Sequence, residues 1–351
     1  MKPVIVPFFI SHQGCPHNCV FCDQRAITGK SGALPAPGEI LSAVREWRRS
    51  SGAESVEVAF YGGSFTMLAP EQQERLLEPL QPLLESGEVS SIRLSTRPDA
   101  VNEAIARFLR EYGVSLVELG VQSMDDTALK LSGRGHTAQD AVDAFAALRS
   151  EGLQVGAQMM PGLPGESSEG AVASFRRILS MKPDTVRIYP AVVLKGTELA
   201  RMYQAGSYRP LLLQEAVDIC KVMLHDAALA GIPVIRAGLQ PTDDLSYGAE
   251  IIAGPYHPAF RQLAQGERWF DLLKILLREF TPGGRLKLYA SQPEISDVVG
   301  QKRGNISRIE TLSGSVFTGI HHDDSLAPGR IRITSGDKQV HGDILRDLTY
   351  P

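Results

Sequence analysis

Cys15-Pro16-His17-Asn18-Cys19-Val20-Phe21-Cys22 holds three of the four cysteines of this 351-residue chain, with three residues and then two between them. The fourth, Cys220, is far away. Four cysteines in a chain of this length do not make a disulfide framework, and a tight triple reads as metal binding. Iron–sulfur cubanes are normally held by four thiolates. Three thiolates with no fourth nearby leave one coordination position open. Zinc, with His12, His17 or Asp23 as a fourth ligand, is the alternative. Zinc ligands more often come as two spaced pairs.

Outward from this loop the chain alternates between strand and helix patterns. Lys2 to Ile10, upstream, is apolar and β-branched enough for a buried first strand. Gly29 to Gly38, rich in Gly, Ala and Pro, closes the loop. Helices are expected at Glu39–Arg49, Glu71–Leu84, Val101–Tyr112, Ala138–Ser150 and Ser167–Ser180. Strands are expected at Ser55–Phe60, Ile92–Thr96, Leu116–Val121, Gln154–Met160 and Thr185–Pro190. This alternation implies a parallel sheet with right-handed crossovers, in an α/β fold built as a partial (β/α)6 TIM-like barrel. Polar and glycine-rich residues follow the strands: the cysteine triple, Gly62-Gly63, Thr96-Arg97-Pro98, Gln122-Ser123, Pro161 to Gly165 and Tyr189-Pro190. The carboxyl ends of parallel barrel strands carry the active site, so these residues should converge on one face.

Leu211 to Ala230 reads as a long helix and Val234 to Leu239 as another strand. The pattern then changes. A helix over Phe270–Phe280, a break at Thr281-Pro282-Gly283-Gly284, and short strands at Leu286–Ala290 and Ile331–Thr334 suggest a smaller α+β extension. The expected division is a core domain over 1–240 and a substrate or accessory domain over 241–351.

Composition is that of an ordinary globular protein, 43% hydrophobic and 22% charged. No uncharged apolar run reaches transmembrane length, and the first residues lack a signal peptide's apolar core. The expected compartment is the cytoplasm, with no membrane partner. A net charge of −4 argues against a generally basic nucleic-acid surface, though not against a local patch.

The cysteine spacing, with the aromatic Phe21 just before the last cysteine, resembles the signature of radical S-adenosylmethionine (SAM) enzymes. The resemblance implies that Cys15, Cys19 and Cys22 hold a [4Fe–4S] cluster. SAM would chelate the open iron and be cleaved by one electron to methionine and a 5′-deoxyadenosyl radical. It also implies a flavodoxin- or ferredoxin-type electron donor. Tyr61-Gly62-Gly63-Ser64-Phe65 is similar to the family's glycine motif, which holds the methionine amino group; Gly62 and Gly63 permit close backbone approach. Leu119 to Ser123, Gly133-Arg134-Gly135-His136-Thr137 and Met159 to Gly165 resemble the branch shared by oxygen-independent coproporphyrinogen oxidase and the catalytic subunit of Elongator. By that resemblance Gln122, Arg134 and Gln158 contact SAM, and Phe21 and Tyr189 to Ala191 flank adenine. It covers roughly residues 1 to 240 and assigns no catalytic residue beyond the cofactor contacts.

Ser95-Thr96-Arg97-Pro98-Asp99 and Ile188-Tyr189-Pro190, followed by Lys195 to Leu199, look more like the Elongator type, which modifies tRNA. RNA or another large molecule is therefore the expected substrate class. A coproporphyrinogen-oxidase-like tetrapyrrole enzyme and a non-catalytic metal- or RNA-binding relative are the alternatives. Ser95 stands where relatives have a SAM-binding glutamate, and Glu118 is a candidate to replace it. No glycine-rich acetyl-CoA loop is evident, so the acetyl chemistry of Elongator is not carried over.

Four further features are read more plainly. Cys220 falls on an apolar helix face and reads as a buried structural thiol. His257, between prolines, reads as a packed loop residue. Asp243-Asp244 reads as a solvated cap and His321-His322 as a surface turn. Gly300-Gln301-Lys302-Arg303-Gly304 resembles the KH-type clamp on nucleic-acid backbones, but is one residue longer and is read as a basic surface loop.

Overall fold

The computed structural model describes residues 4–10, 14–15, 17–23, 33–240, 248 and 250–351. His12, Asp243, Asp244 and residues 29–32 of the 29–38 stretch lie outside them. Contacts divide the chain into two units. One comprises 1–211, 232–235 and 239–256, and the other 212–231, 236–238 and 257–351.

The first unit is built on a seven-stranded sheet of β1 (Val4–Phe9), β2 (Val56–Tyr61), β3 (Val89–Thr96), β4 (Val114–Gln122), β5 (Gln154–Met159), β6 (Thr185–Ile188) and β8 (Val234–Ala237), in that order. Pairing is parallel from β1 through β6. This is the partial barrel expected from the alternation. A two-stranded sheet joins β7 (Val193–Leu194) to β9 (Ile251–Ala253).

The helices between strands start and stop where local chemistry directs. Pro37 opens the helix Pro37–Ser51, Glu39 accepts from the Ala36 N–H at 2.7 Å, and Gly52 ends it at φ 67°. Thr137 and Asp140 form a capping box on Ala138–Ser150. The single helix expected over Glu71–Leu84 is instead three pieces: Pro70–Leu77, a 3-10 turn at Glu78–Leu80, and Gln81–Glu85. Pro79 and Pro82 lack the N–H that a continuous ladder needs. Two short helices went unread, Asp126–Leu131 and Glu198–Gln204, capped by Asp125 and Thr197. Both are too short to establish a helical period.

Barrel strands are buried on the helix side by Val6, Val58, Phe60, Ile92, Leu94, Val117 and Leu119. The other side is polar. Glu57, Arg93, Glu118 and Arg187 form a chain of ion pairs across it: Arg93–Glu57 at 2.5 Å, Arg93–Glu118 at 3.5 Å and Arg187–Glu118 at 2.6 Å.

The second unit pairs the helices Leu213–Leu229 and Phe260–Leu277 with a four-stranded sheet. Its strands are β10 (Arg285–Ala290), β11 (Val316–His322), β12 (Arg330–Ser335) and β13 (Lys338–Asp343), ordered β11-β10-β12-β13. Trp269, Leu273, Leu286, Leu288, Ile306, Ile331 and Ile333 fill its core. The helix expected at Phe270 begins ten residues earlier, and β11 and β13 carry no clean alternation in sequence. His321 and His322 end β11 rather than form a turn. Cys220 is fully buried in its helix, and burial pushes its thiol up.

Candidate metal and cofactor site

The cysteine loop leaves β1 with Ile10 still bonded to Tyr61, N–H to C=O at 2.8 Å. It then lies against the turn after Tyr61-Gly62-Gly63-Ser64. A Cβ on Gly14, whose φ is 73°, would stand 2.5 Å from the Ser64 carbonyl oxygen and 2.9 Å from the Leu68 nitrogen. Only glycine allows this approach, and Cys15 follows directly. The Cys22 N–H donates to the Cys19 carbonyl at 3.0 Å, closing a turn that brings the two residues together. Val20 is tied through its N–H to Ser132 at 3.0 Å and through its carbonyl to the Leu199 N–H at 2.7 Å.

Cys19 is buried, and Cys15 and Cys22 are half-buried. Burial pushes the Cys22 thiol up to about 12, aided by repulsion from Cys19 and Cys15 and opposed by Arg134. Cys22 is thus near enough to both other sulfurs to feel their charge, and a cationic group beside it would relieve that cost. Among the described residues, no three His, Cys, Asp or Glu side chains are grouped to hold a single ion. A cubane asks for something different, each of the three thiolates on its own iron corner with the fourth iron left open.

Arg134 reaches this loop from the segment after Leu131. Its Nη1 lies 3.5 Å from Cys19 Sγ, and its Nη2 donates to the Gly120 carbonyl at 2.7 Å. Arg97 donates to the Arg134 carbonyl and grips Asp99 with two bonds, at 2.9 and 3.0 Å. The Arg134 Nε and Arg97 Nη1 are buried with no hydrogen-bond partner among the described residues. Two buried guanidiniums with spare donors beside three thiols suit a negatively charged thiolate cluster and an anionic ligand. Gly135, at φ 71°, lies so close to the loop that its Cβ would stand 2.2 Å from the His17 ring.

Gln122 ends β4 at φ 69°, unusual for a residue with a side chain. Its Oε1 accepts from Gln158 Nε2 on β5 at 3.2 Å. Gly120 leaves the space they need: a Cβ there would lie 2.9 Å from Gln122 Nε2 and 3.4 Å from Arg134 Nη2. Phe21 and Met160 pack against the cluster of Ala128, Leu163 and Ala191. The Tyr189 hydroxyl accepts from Arg187 at 3.2 Å, and Gly62 has φ 86°.

Other residues stand apart from these. Glu118, the candidate to act in place of a carboxylate at position 95, is ion-paired. Arg187 holds it at 2.6 and 2.9 Å, and Arg93 at 3.5 Å. His257 accepts from the Ala259 N–H at 3.1 Å, a local cap. The role of Arg97 was not read from sequence, although the Arg97-Pro98-Asp99 spacing was a signal for it. Nor was the pairing of Ser123 with Glu166, at 2.6 Å. Burial pushes the Glu166 carboxyl up to about 7, against the bonds from Ser123 and the Gly162 and Leu163 backbone.

A family model described as the Radical SAM superfamily matches residues 9–178, and the Radical_SAM C-terminal domain matches residues 183–269. The chain belongs to the radical SAM superfamily. Members bind a [4Fe–4S] cluster and SAM, so these are its cofactors, and the protein is an enzyme. An uncharacterized protein of Methanocaldococcus jannaschii is 32% identical over 225 residues, covering 60% of this chain and 69% of that protein. A protein of Methanocaldococcus infernus named tRNA uridine(34) acetyltransferase is 36% identical over 154 residues. That match covers 42% of this chain but only 29% of the relative, so the chain spans under a third of it. The solved structure of archaeal Methanocaldococcus infernus Elp3 with an N-terminal deletion shares the fold. Its TM-score is 0.56 at 24% identity, with 74% of this chain and 61% of that one covered. Among the described residues, no helix is long and apolar enough to cross a membrane.

Proposed function

We propose that this radical SAM enzyme cleaves SAM reductively and uses the radical to modify RNA, with tRNA the first substrate to test. The observation that carries the reading is the meeting of Cys19, Arg134, Gly120, Gln122 and Gln158 where β4 and β5 end. In this reading Cys15, Cys19 and Cys22 hold the cluster. Gly62, Gly63, Gln122, Arg134 and Gln158 hold SAM, and Phe21 and Tyr189 flank its adenine. Held by these residues, the cluster would supply the electron for reductive cleavage of SAM and so the means of hydrogen abstraction from the substrate. Arg134 offsets charge at Cys19 while its second nitrogen stays anchored on Gly120. The Gln122–Gln158 pair fixes two amides for the polar end of SAM. The packing of Phe21 excludes water from the purine side.

The relative named for tRNA uridine(34) supports the RNA substrate, and the 29% coverage of that protein leaves its acetyl transfer outside the proposal. We assign the core to residues 1–240, a substrate-facing accessory role to 241–351, a flavodoxin- or ferredoxin-type protein as reductant, and the cytoplasm as compartment. The test is anaerobic reconstitution with iron and sulfide, reduction, and measurement of 5′-deoxyadenosine from SAM with and without bulk tRNA. Product that rises with tRNA and vanishes in Cys19→Ala is expected. A fully loaded protein that forms none, with tRNA present, refutes the reading.

A further inference from the structure

The second unit contains a strand–helix–helix–strand arrangement. β10 leads into the helix Ile295–Val299, residues 300–304 connect to the helix Gly304–Ser313, and that helix leads into β11. β10 and β11 are parallel neighbours, and β11 is the outermost strand of its sheet. Gly304–Ser313 must carry the chain back to the start of β11, so it begins at the end where both strands finish. The connection at 300–304 projects at that end. The exposed residues His321 and His322 are there too, with the His321 ring stacked on Tyr289 at 5.2 Å.

Residues 300–304 present two cations side by side. Gln301, Lys302 and Arg303 are exposed, and among the described residues neither cation has an ion-pair or hydrogen-bond partner for its side chain. The two arginines of β12 are already engaged: Arg330 with Asp343 at 3.2 Å and Arg332 with Asp323 at 2.6 Å. The base of the connection is fixed by buried Asn305. Its amide donates to the carbonyls of Gly266 at 2.8 Å, Val298 at 3.2 Å and Asp297 at 3.4 Å. Gly300 has φ 75° and ψ 162°, and a Cβ on it would strike Asn305 at 2.8 Å.

We infer that this connection, together with the open edge of β11, is a clamp for the backbone of single-stranded RNA. Charge complementarity selects the occupant. The chain as a whole carries −4, yet here two unpaired cations stand on a rigid mount, as a phosphodiester backbone requires. Loops of G-x-x-G form between two helices grip nucleotide backbones in this way. Here Lys302 and Arg303 take up the left-handed turn themselves, at φ 51° and 61°. Lys302 acts as a mobile point charge and Arg303 as a two-pronged donor to phosphate oxygens. The outer edge of β11 and the exposed His321 and His322 face the bases, offering edge hydrogen bonds and a stacking surface. The clamp names a grip for the RNA proposed above, and its test reads binding separately from SAM cleavage.

The test is fluorescence anisotropy of the full chain with a labelled 12-nucleotide oligouridylate over a potassium chloride series. The double variants Lys302→Gln/Arg303→Gln and Lys302→Gly/Arg303→Gly are compared with wild type; the second also relieves the left-handed backbone, and the thermal midpoint of each variant checks that it is folded. Loss of about tenfold or more in affinity at low salt, and a log–log salt slope shallower by about 1.4, are expected for two lost phosphate contacts at about 0.7 each. Formation of 5′-deoxyadenosine from SAM without RNA stays at the wild-type level in both variants. Unchanged affinity and slope in both variants overturn the proposal. So does a wild-type chain that does not bind the oligonucleotide, which would leave the edge to a protein strand. Neither result touches the SAM chemistry, which fails only if 5′-deoxyadenosine is absent.

Discussion

Gly14→Ala isolates how the cysteine loop is held. Two costs arise at this position. The first is conformational: φ is 73°, and an L-residue in the left-handed region costs about 1–2 kcal/mol. The second is steric. The new Cβ would sit 2.5 Å from the Ser64 oxygen, 2.9 Å from the Leu68 nitrogen and 3.0 Å from the Met67 carbonyl carbon. All three are backbone atoms and cannot rotate away. Overpacking of this kind adds about 1–3 kcal/mol, so the loop is strained by roughly 2–5 kcal/mol in total. The strain falls beside Cys15 rather than in the core, so the loop shifts and the rest of the fold remains. Gly52→Ala is the control: φ is 67° and nothing lies within 4 Å of its Cβ, so it carries the first cost alone. The assay is iron and sulfide per chain after anaerobic reconstitution, alongside the thermal midpoint. Wild type and Gly52→Ala should bind about four irons, and Gly14→Ala under half as many, with a midpoint close to the control. Equal iron in Gly14→Ala and Gly52→Ala would refute the claim that this close approach positions the ligands.

Three further outcomes follow from the same geometry. Gln122→Asn keeps a residue that tolerates the positive φ but withdraws the amide from Gln158; SAM binding should weaken about tenfold, from roughly 1.4 kcal/mol, at unchanged iron content, measured by titration of the reconstituted protein. His136 is pushed down to about 4 by burial and by Arg134 and Arg97, so the folded chain keeps it neutral while the unfolded chain protonates it below about 6.5. Its contribution is complete above that value and is lost as pH falls toward 4, amounting to about 2 kcal/mol between pH 7 and 5; His136→Gln, which retains a donor for the Val121 carbonyl, should lose that much less in urea unfolding over the same interval. Asn305→Ala strips the donor from three carbonyls and should lower stability by about 1–3 kcal/mol, seen as a lower urea midpoint; an unchanged midpoint would show that water replaces the amide.

Charges on the polar side of the sheet set the surroundings of Ser95. Ser95 pairs with Glu118 in the register of β3 and β4, so a carboxylate does lie one strand away. Arg187 and Arg93 have claimed it. Removing one member of such a buried pair leaves the other charge uncompensated, which keeps the pair intact.

Local pattern alone established the cysteine triple, the strand–helix alternation and the expectation that residues after the strands share one face. Each of these is written in neighbours: periodicity fixes which side of an element is buried, and prolines, glycines and caps fix where it ends. Ala138–Ser150 was legible to the residue because Thr137 and Asp140 cap it and Gly152 follows. Where competing local signals met, the reading failed. Pro79 and Pro82 split a helix whose apolar spacing was continuous, and the bulge beside Gly319 blurred the alternation of β11. The tertiary structure alone decided the contacts that give these residues their chemistry. Arg134 meets Cys19 across 115 positions, and Arg187 takes Glu118 across 69. Two cations at 302 and 303 become a directed pair only because a parallel crossover and Asn305 mount them at one end of a sheet. Such meetings depend on strand register and on how far each loop reaches, which no run of adjacent residues specifies.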